Sequence, residues 1–281
     1  MSSTTSRPRV LLFDIGGVCV VSPFQAILDY EKAQKIPLGW INHSIAASNP
    51  DGAWQQLERG EAKLDAPWFA AFKADLSNEQ RWRKYYAQYL AKSRKQDAGA
   101  AAEEAVFNAP PVPDIDAEWL FWEMMRVARQ PDPHMYPALK RLRQHADKHP
   151  GSLVLAALSN TSIFPAGHPF AEETAGHADV KRQFHVFVSS AHVGMRKPAE
   201  NIYYYTIGRV SEFVVQRGYG DGVRAQDFIF LDDIGSNLKT AKKIGMGTIK
   251  VDLGRADRAV KELETRTGIT VTSDGGSSAR L

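Results

Sequence analysis

Four short polar clusters stand where apolar runs stop. Val10-Leu11-Leu12-Phe13 ends in Asp14, followed by Ile15, Gly16 and Gly17. Ser152-Leu153-Val154-Leu155-Ala156-Ala157-Leu158 ends in Ser159-Asn160-Thr161. Lys197 lies in Gly194-Met195-Arg196-Lys197-Pro198, after the run Val186-Phe187-Val188, and Asp227-Phe228-Ile229-Phe230-Leu231 ends in Asp232-Asp233. If these runs are parallel neighbours in a sheet, the clusters meet at its carboxyl edge, where open α/β sheets bind ligands. Asp14, Asp232 and Asp233 would repel one another there unless a cation sat among them. Hard oxygen donors with room for water and phosphate suit Mg²⁺ better than zinc. A lysine and a hydroxyl beside that ion can neutralise phosphoryl oxygens while a carboxylate attacks in line. Aspartate is an established covalent phosphoryl acceptor. Taken alone, Asp14-Ile15-Gly16-Gly17 also reads as a plain strand-terminating turn.

The elements that must position these clusters follow from periodicity. Apolar runs without alternation predict strands buried on both faces over 10–13 and 152–158, with further strands over 186–190, 227–231 and 247–251. Amphipathic spacing predicts helices over 135–149, 200–209 and 236–244 between them. Strands alternating with helices imply an α/β fold with a doubly wound (Rossmann-like) parallel sheet. Between the first strand and about Arg129 the chain is strand-poor, with helical spacing over 24–35, 78–95 and 116–129 and Asp114 or Asp116 as a cap. Breaks are expected at Asn49-Pro50-Asp51-Gly52, Ala66-Pro67 and Pro110-Pro111-Val112-Pro113. The segment 98–105 is Ala/Glu-biased, either a solvated helix or a loose connection, and 210–224 reads as a connection. The division expected is a core of 1–21 and 131–272, a helical cap of 22–130 over the sheet's carboxyl edge, and a disordered tail of 273–281. All six tryptophans fall in the cap region. They suit a helical core, a greasy substrate channel, or both.

Composition narrows the function classes. The chain has 281 residues, 43% hydrophobic and 24% charged, with a formal net charge of +3. No basic run or stripe stands out, so nucleic acid is not an expected partner. No apolar stretch is long enough for a membrane span, and residues 1–9 lack the apolar segment of a secretory signal. A single cysteine, Cys19, excludes an internal disulfide and suits a reducing compartment, so a cytoplasmic address is expected. The final Ala279-Arg280-Leu281 also resembles a peroxisomal address of the Ser-Lys-Leu type. A small phosphorylated molecule is the expected partner, and a homodimer is compatible with the sequence.

Phe13-Asp14-Ile15-Gly16-Gly17-Val18, Leu158-Ser159-Asn160-Thr161, Gly194-Met195-Arg196-Lys197-Pro198 and Phe230-Leu231-Asp232-Asp233-Ile234-Gly235-Ser236-Asn237-Leu238-Lys239 resemble the four ordered motifs of the haloacid dehalogenase superfamily. Each motif alone is weak, and four in order at compatible spacing are specific. The resemblance covers about 7–20 and 131–271. Residues 231–239 and 260–264 are most similar to the phosphatase domain of soluble epoxide hydrolases, and the Gly-Gly-Val form of the first motif is similar to a domain that opens an acyl-CoA dehydrogenase family protein. The resemblance implies roles. Asp14 would be nucleophile and metal ligand, and Gly16 would offer its carbonyl to the Mg²⁺. Asp233 would bind the metal, with Asp232 behind it or turned to Lys197. Ser159 and Asn160 would hold phosphoryl oxygens, with Gly16 and Gly17 lining the same site. Lys197 would neutralise charge, and Asn237 would support the loop.

One departure matters. Phosphatases of this superfamily carry a second aspartate two residues after the nucleophile as general acid, and here that position is Gly16. General acid–base help is worth roughly two to four orders of magnitude. Another group such as His168, His192 or Ser22 could donate the proton, water could, or the leaving group could need little help, as in isoprenoid diphosphates and acyl phosphates. A slow or inactive site is the remaining option. The alternatives are a 2-haloacid dehalogenase, which uses no metal and has no need of Asp232-Asp233, and a non-catalytic phosphate- or partner-binding module. The likeness to the epoxide hydrolase phosphatase domain and the aromatic cap imply a hydrophobic lipid or isoprenoid phosphate. With no second catalytic domain in the chain, epoxide hydrolase activity is not expected.

Overall fold

A computed structural model describes residues 7–94, 108–172 and 175–272. The segment 98–105, the tail from 273 and Ala279-Arg280-Leu281 lie outside the described residues. Five strands form one parallel sheet: β1 (Val10–Phe13), β2 (Val154–Ser159), β3 (Val186–Ser189), β4 (Phe228–Asp232) and β5 (Gly247–Lys250), in the order β3-β2-β1-β4-β5. The fold is α/β and doubly wound. Successive side chains of a strand point to opposite faces, and both faces of β1 are buried. Leu11 and Phe13 join a core with Met135, Leu139 and Leu142 of helix Met135–Lys148 and Leu263 of helix Ala256–Thr267. Val10 and Leu12 join the opposite core with Tyr203 and Val210 of helix Glu200–Gln216 and Leu238 of helix Gly235–Lys243. Burial on both faces is why β1, β2 and β4 read as unbroken apolar runs, whereas β3 and β5 at the sheet's edges are only partly buried.

The connections place β1 in the middle. The chain goes from β1 to its neighbour β2, out to β3, then returns to pair β4 against the other side of β1. That reversal is a topological switch point, and the ends of β1, β2 and β4 lie together there.

By contact density the chain divides into two compact units. One holds 1–22, 128–161 and 172–281, the sheet and its helices. The other holds 23–127 and 162–171. In the second unit, helices Phe24–Ala33, Trp40–Ala47, Ala53–Glu58, Ala66–Leu76, Glu79–Arg94 and Ala117–Val127 surround a core of Trp40, Trp68, Phe72, Trp82 and Phe121. Three of the six tryptophans are therefore core. Trp54 and Trp122 pack at its margin, and Trp119 is 52% exposed.

Two boundaries differ from the sequence reading. Ala66-Pro67 starts a helix instead of breaking one: Pro67 lies in the first turn, where a missing N–H costs nothing, and Asp65 accepts from Trp68 N at 3.0 Å. The helix expected over 200–209 runs on to Gln216, because Val210 and Val214 continue the buried stripe of Tyr203 and Thr206. Of the two caps considered for helix Ala117–Val127, Asp116 takes the role, its Oδ1 accepting from Trp119 N at 2.9 Å.

Candidate active site

Asp14 is the first residue past β1, and its N–H still donates to Leu231 O of β4 at 2.9 Å. Phe13 pairs with both Ala157 and Leu231, so Asp14 stands between the ends of β2 and β4. Asp232 is the last residue of β4 and Ser159 the last of β2. The loop after Asp14 is tight. Ile15 O accepts from Cys19 N at 2.9 Å and from Val20 N at 3.0 Å, and Gly16 bridges to Val20. Gly17 has φ of +76°, and a Cβ there would collide with the Asp233 carboxylate and lie 3.3 Å from Ser22 Cβ. Glycine is required at that point by both backbone and space.

The charged groups converge. Lys197 is 1% exposed, and its Nζ donates to Asp232 Oδ2 at 2.8 Å while lying 2.9 Å from Asp14 Oδ1. The same ammonium sits 5.4 Å over the Phe230 ring. Oxygens of Asp14, Asp232 and Asp233 lie within 4.8 Å of one another. Their bonding differs. Asp232 spends both oxygens, accepting from Ile234 N at 2.7 Å, from Asn237 Nδ2 at 3.0 Å on each oxygen, and from Lys197. Asp14 takes its bonds on Oδ1 alone, from Ile15 N at 2.7 Å and Lys197. Asp233 Oδ1 is buried with no hydrogen-bond partner.

Burial, opposed by Lys197 and reinforced by the other two carboxylates, raises the Asp14 carboxyl to about 8. Burial and Asp232 raise Asp233 to about 6. Burial would lower Lys197, but the charges of Asp14 and Asp232 outweigh it and hold the ammonium above its ordinary value. A cluster of hard carboxylate donors with one orphaned oxygen fits a divalent cation such as Mg²⁺, which lowers the cost of bringing these charges together.

The residues expected to hold phosphate are held from two directions. Asn160 Oδ1 accepts from Lys197 N at 2.9 Å and its Nδ2 donates to Lys197 O at 3.1 Å, so this amide clasps the lysine's own peptide group. Ser159 Oγ, 5% exposed as a residue, makes only a 3.4 Å contact to Asn160 O. Asn237, 2% exposed, also accepts at its main-chain oxygen from Tyr203 Oη at 3.0 Å. Of the three conceivable proton donors, His168 belongs to the helical unit and stacks on Trp122 at 4.2 Å. His192 bonds Ser189 Oγ at 2.9 Å, and Ser22 is buried beside Gly17.

Sequence reasoning passed over Ser189 and Ser190 at the end of β3, which bond Thr161. The signal was present, since polar residues close this apolar run as they close β1, β2 and β4.

No protein-family model matches the chain. It is 27% identical over 260 residues to mouse acyl-CoA dehydrogenase family member 10, a match covering 92% of this chain and 19% of that protein. It is 33% identical over 90 residues to mouse bifunctional epoxide hydrolase 2, covering 32% of this chain and 14% of that protein. The chain thus spans less than a fifth of the length of these curated relatives. Among solved structures, it matches a HAD family enzyme from Bacteroides thetaiotaomicron in complex with magnesium and inorganic phosphate, with 16% identity, 86% and 93% of the two chains covered, and a TM-score of 0.42. Dehalogenases are also matched. The chain is similar to haloacid dehalogenase-like hydrolases. The four motifs read from the sequence all fall within the sheet-bearing unit.

Proposed function

We propose that the protein is a Mg²⁺-dependent phosphatase that works through an aspartyl-phosphate on Asp14. The observation that carries this is the pairing of a half-bonded Asp14 with an orphaned Asp233 oxygen, both beside a buried lysine. Asp14 Oδ2 attacks phosphorus, and the bond from phosphorus to the leaving oxygen breaks as the aspartyl bond forms. The leaving oxygen takes a proton from water, because Gly16 offers none. Water then attacks the same phosphorus, phosphate departs, and the Asp14 carboxylate is regenerated. Lys197 holds Asp14 in place and offsets phosphoryl charge. The sparsely bonded Ser159 hydroxyl would donate to a phosphoryl oxygen, and Asn160 keeps Lys197 in register through its main chain. Mg²⁺, held by Asp14, Asp233 and the Gly16 carbonyl, would supply positive charge to the phosphoryl group. Asp232, saturated by Lys197 and Asn237, orients the lysine.

With Gly16 in place of a general acid, substrates with a weakly basic leaving oxygen are favoured, such as isoprenoid diphosphates or acyl phosphates. The aromatic content of the helical unit and the epoxide hydrolase likeness support a small hydrophobic phosphate. A 2-haloacid dehalogenase also suits Gly16, but it leaves the Asp233 oxygen unexplained.

The deciding experiment measures phosphate release from p-nitrophenyl phosphate and farnesyl phosphate with Mg²⁺ or EDTA, beside Asp14→Asn. Metal-dependent release that falls about a thousandfold or more in the variant is expected. Chloride release from 2-chloropropionate in EDTA would replace this reading with the dehalogenase.

A further inference from the structure

We propose that Ser189, Ser190 and His192 are positioning residues that lock the phosphate-binding segment 159–161 from the β3 side, an inference that rests on the phosphatase reading. Main-chain pairing between β2 and β3 stops at Ser159 opposite Ser189. Asn160 and Thr161 therefore lie past the end of the ladder. Side chains take over. Ser190 Oγ accepts from Thr161 N at 2.8 Å and contacts Thr161 O at 3.4 Å. Ser189 Oγ lies 2.5 Å from Thr161 Oγ1 and 2.9 Å from His192 Nδ1. Two adjacent serines thus hold the N–H, the carbonyl and the hydroxyl of one residue, and His192 completes the chain of hydroxyls.

The plain alternative is that these serines simply begin the short helix Ser190–Val193. Ser189 stands at its N-cap, a position where serine ordinarily caps its own helix with the hydroxyl. Here that side chain makes no cap bond and is turned to Thr161 instead. Ser190 is fully buried, so its hydroxyl had to find a partner inside the protein. One partner it has is the residue that follows Asn160. Asn160 in turn clasps Lys197, so the lock reaches Ser159 and Lys197 through one short segment. A loosened Thr161 lets both drift, and preorganised donors lose their value when they drift.

Asp14 and Asp233 lie just past β1 and β4, outside the lock, which reaches Asp14 only through Lys197, so its effect falls on phosphate before metal. The test is calorimetric titration of the full chain with Mg²⁺, then with inorganic phosphate in the presence of Mg²⁺, for wild type, Ser189→Ala, Ser190→Ala, His192→Ala and Thr161→Ser, with melting temperatures alongside. Phosphate affinity should fall roughly tenfold in each serine variant and a few-fold in His192→Ala, with Mg²⁺ affinity changing less and Thr161→Ser near wild type. Lower melting temperatures with unaltered phosphate affinity would reduce the serines to structural parts and overturn the inference. A wild type that binds Mg²⁺ but no phosphate would instead overturn the phosphatase reading, and the lock with it.

Discussion

The two units bury polar groups for different ends. In the helical unit, buried Glu31 accepts from Gly39 N at 2.7 Å and Ile41 N at 2.8 Å. Buried Ser44 donates to Asp75 O, and buried Gln55 donates to Ile45 O. Each side chain serves a nearby main-chain group and ties one helix to the next. In the α/β unit, Asp14, Lys197 and Asp232 bond to one another across three separate segments, and three carboxylates face one lysine. Orphaned atoms occur in both units. In the helical unit they are the neutral Trp40 Nε1 and Gln55 Oε1, whereas in the α/β unit the orphan is the carboxylate oxygen of Asp233. Burying an unpaired charged oxygen costs far more than burying a neutral one. Buried polarity alone therefore does not mark a site; a cluster of buried charges with a carboxylate oxygen left unpartnered does.

The comparison can be broken most directly at Lys197 and Trp68. Lys197→Met leaves Asp232 buried without a counter-charge and should destabilise the protein by about 3–5 kcal/mol while abolishing phosphate release. Trp68, stacked on Phe72 at 5.1 Å and bonded through Nε1 to Ala53 O at 2.8 Å, should cost a similar 3–5 kcal/mol as Trp68→Ala. Below its melting point that variant should keep its metal-dependent turnover of p-nitrophenyl phosphate. Urea unfolding beside a turnover assay separates the two cases, and equal loss of activity in both would erase the distinction.

A smaller effect reads the charge imbalance itself. Asp14 and Asp233 hold their protons to about pH 8 and about pH 6 in the fold, against an ordinary value of 3.8. The folded chain thus binds more protons than the unfolded chain between these values. The stability they contribute is full below about pH 4 and is lost as pH rises through about 6 and then about 8. In EDTA the melting temperature should decline across that window, and Mg²⁺ at a hundredfold excess over its Kd should restore about 2.7 kcal/mol at neutral pH. A melting temperature that is flat with pH and indifferent to Mg²⁺ would remove the charge argument. The smallest expected effect is Glu31→Gln, about 1 kcal/mol, because the amide oxygen replaces only part of the helix-start bonding, with no change in phosphate release.

Much of the site was legible because its signals are local. Asp14, Ser159 and the Asp232-Asp233 pair each close an apolar run, and a strand's end is visible where apolar residues stop. Ser189 and Ser190 carry the same signal, but their partners, Thr161 above all, cannot be read along the chain. Pro67 misled because a proline that starts a helix and one that ends it look alike until its N-cap is seen. The continuation of helix Glu200–Gln216 was hidden by polar residues between Val210 and Val214, whose burial depends on the sheet beneath them.

By itself the sequence determined the five strands, the burial of β1, β2 and β4 on both faces and the residue types at the strands' carboxyl ends, because unbroken apolar runs and the polar residues that stop them are local properties of the chain. Only the tertiary structure decided which of those residues are bonded to which. Asp232 is saturated and Asp233 is not, Asn160 grips the Lys197 main chain, and Ser189 forgoes its own helix for Thr161. Those choices depend on strand order and register, which bring residues dozens of positions apart to within hydrogen-bond distance, and no periodicity along the chain encodes them.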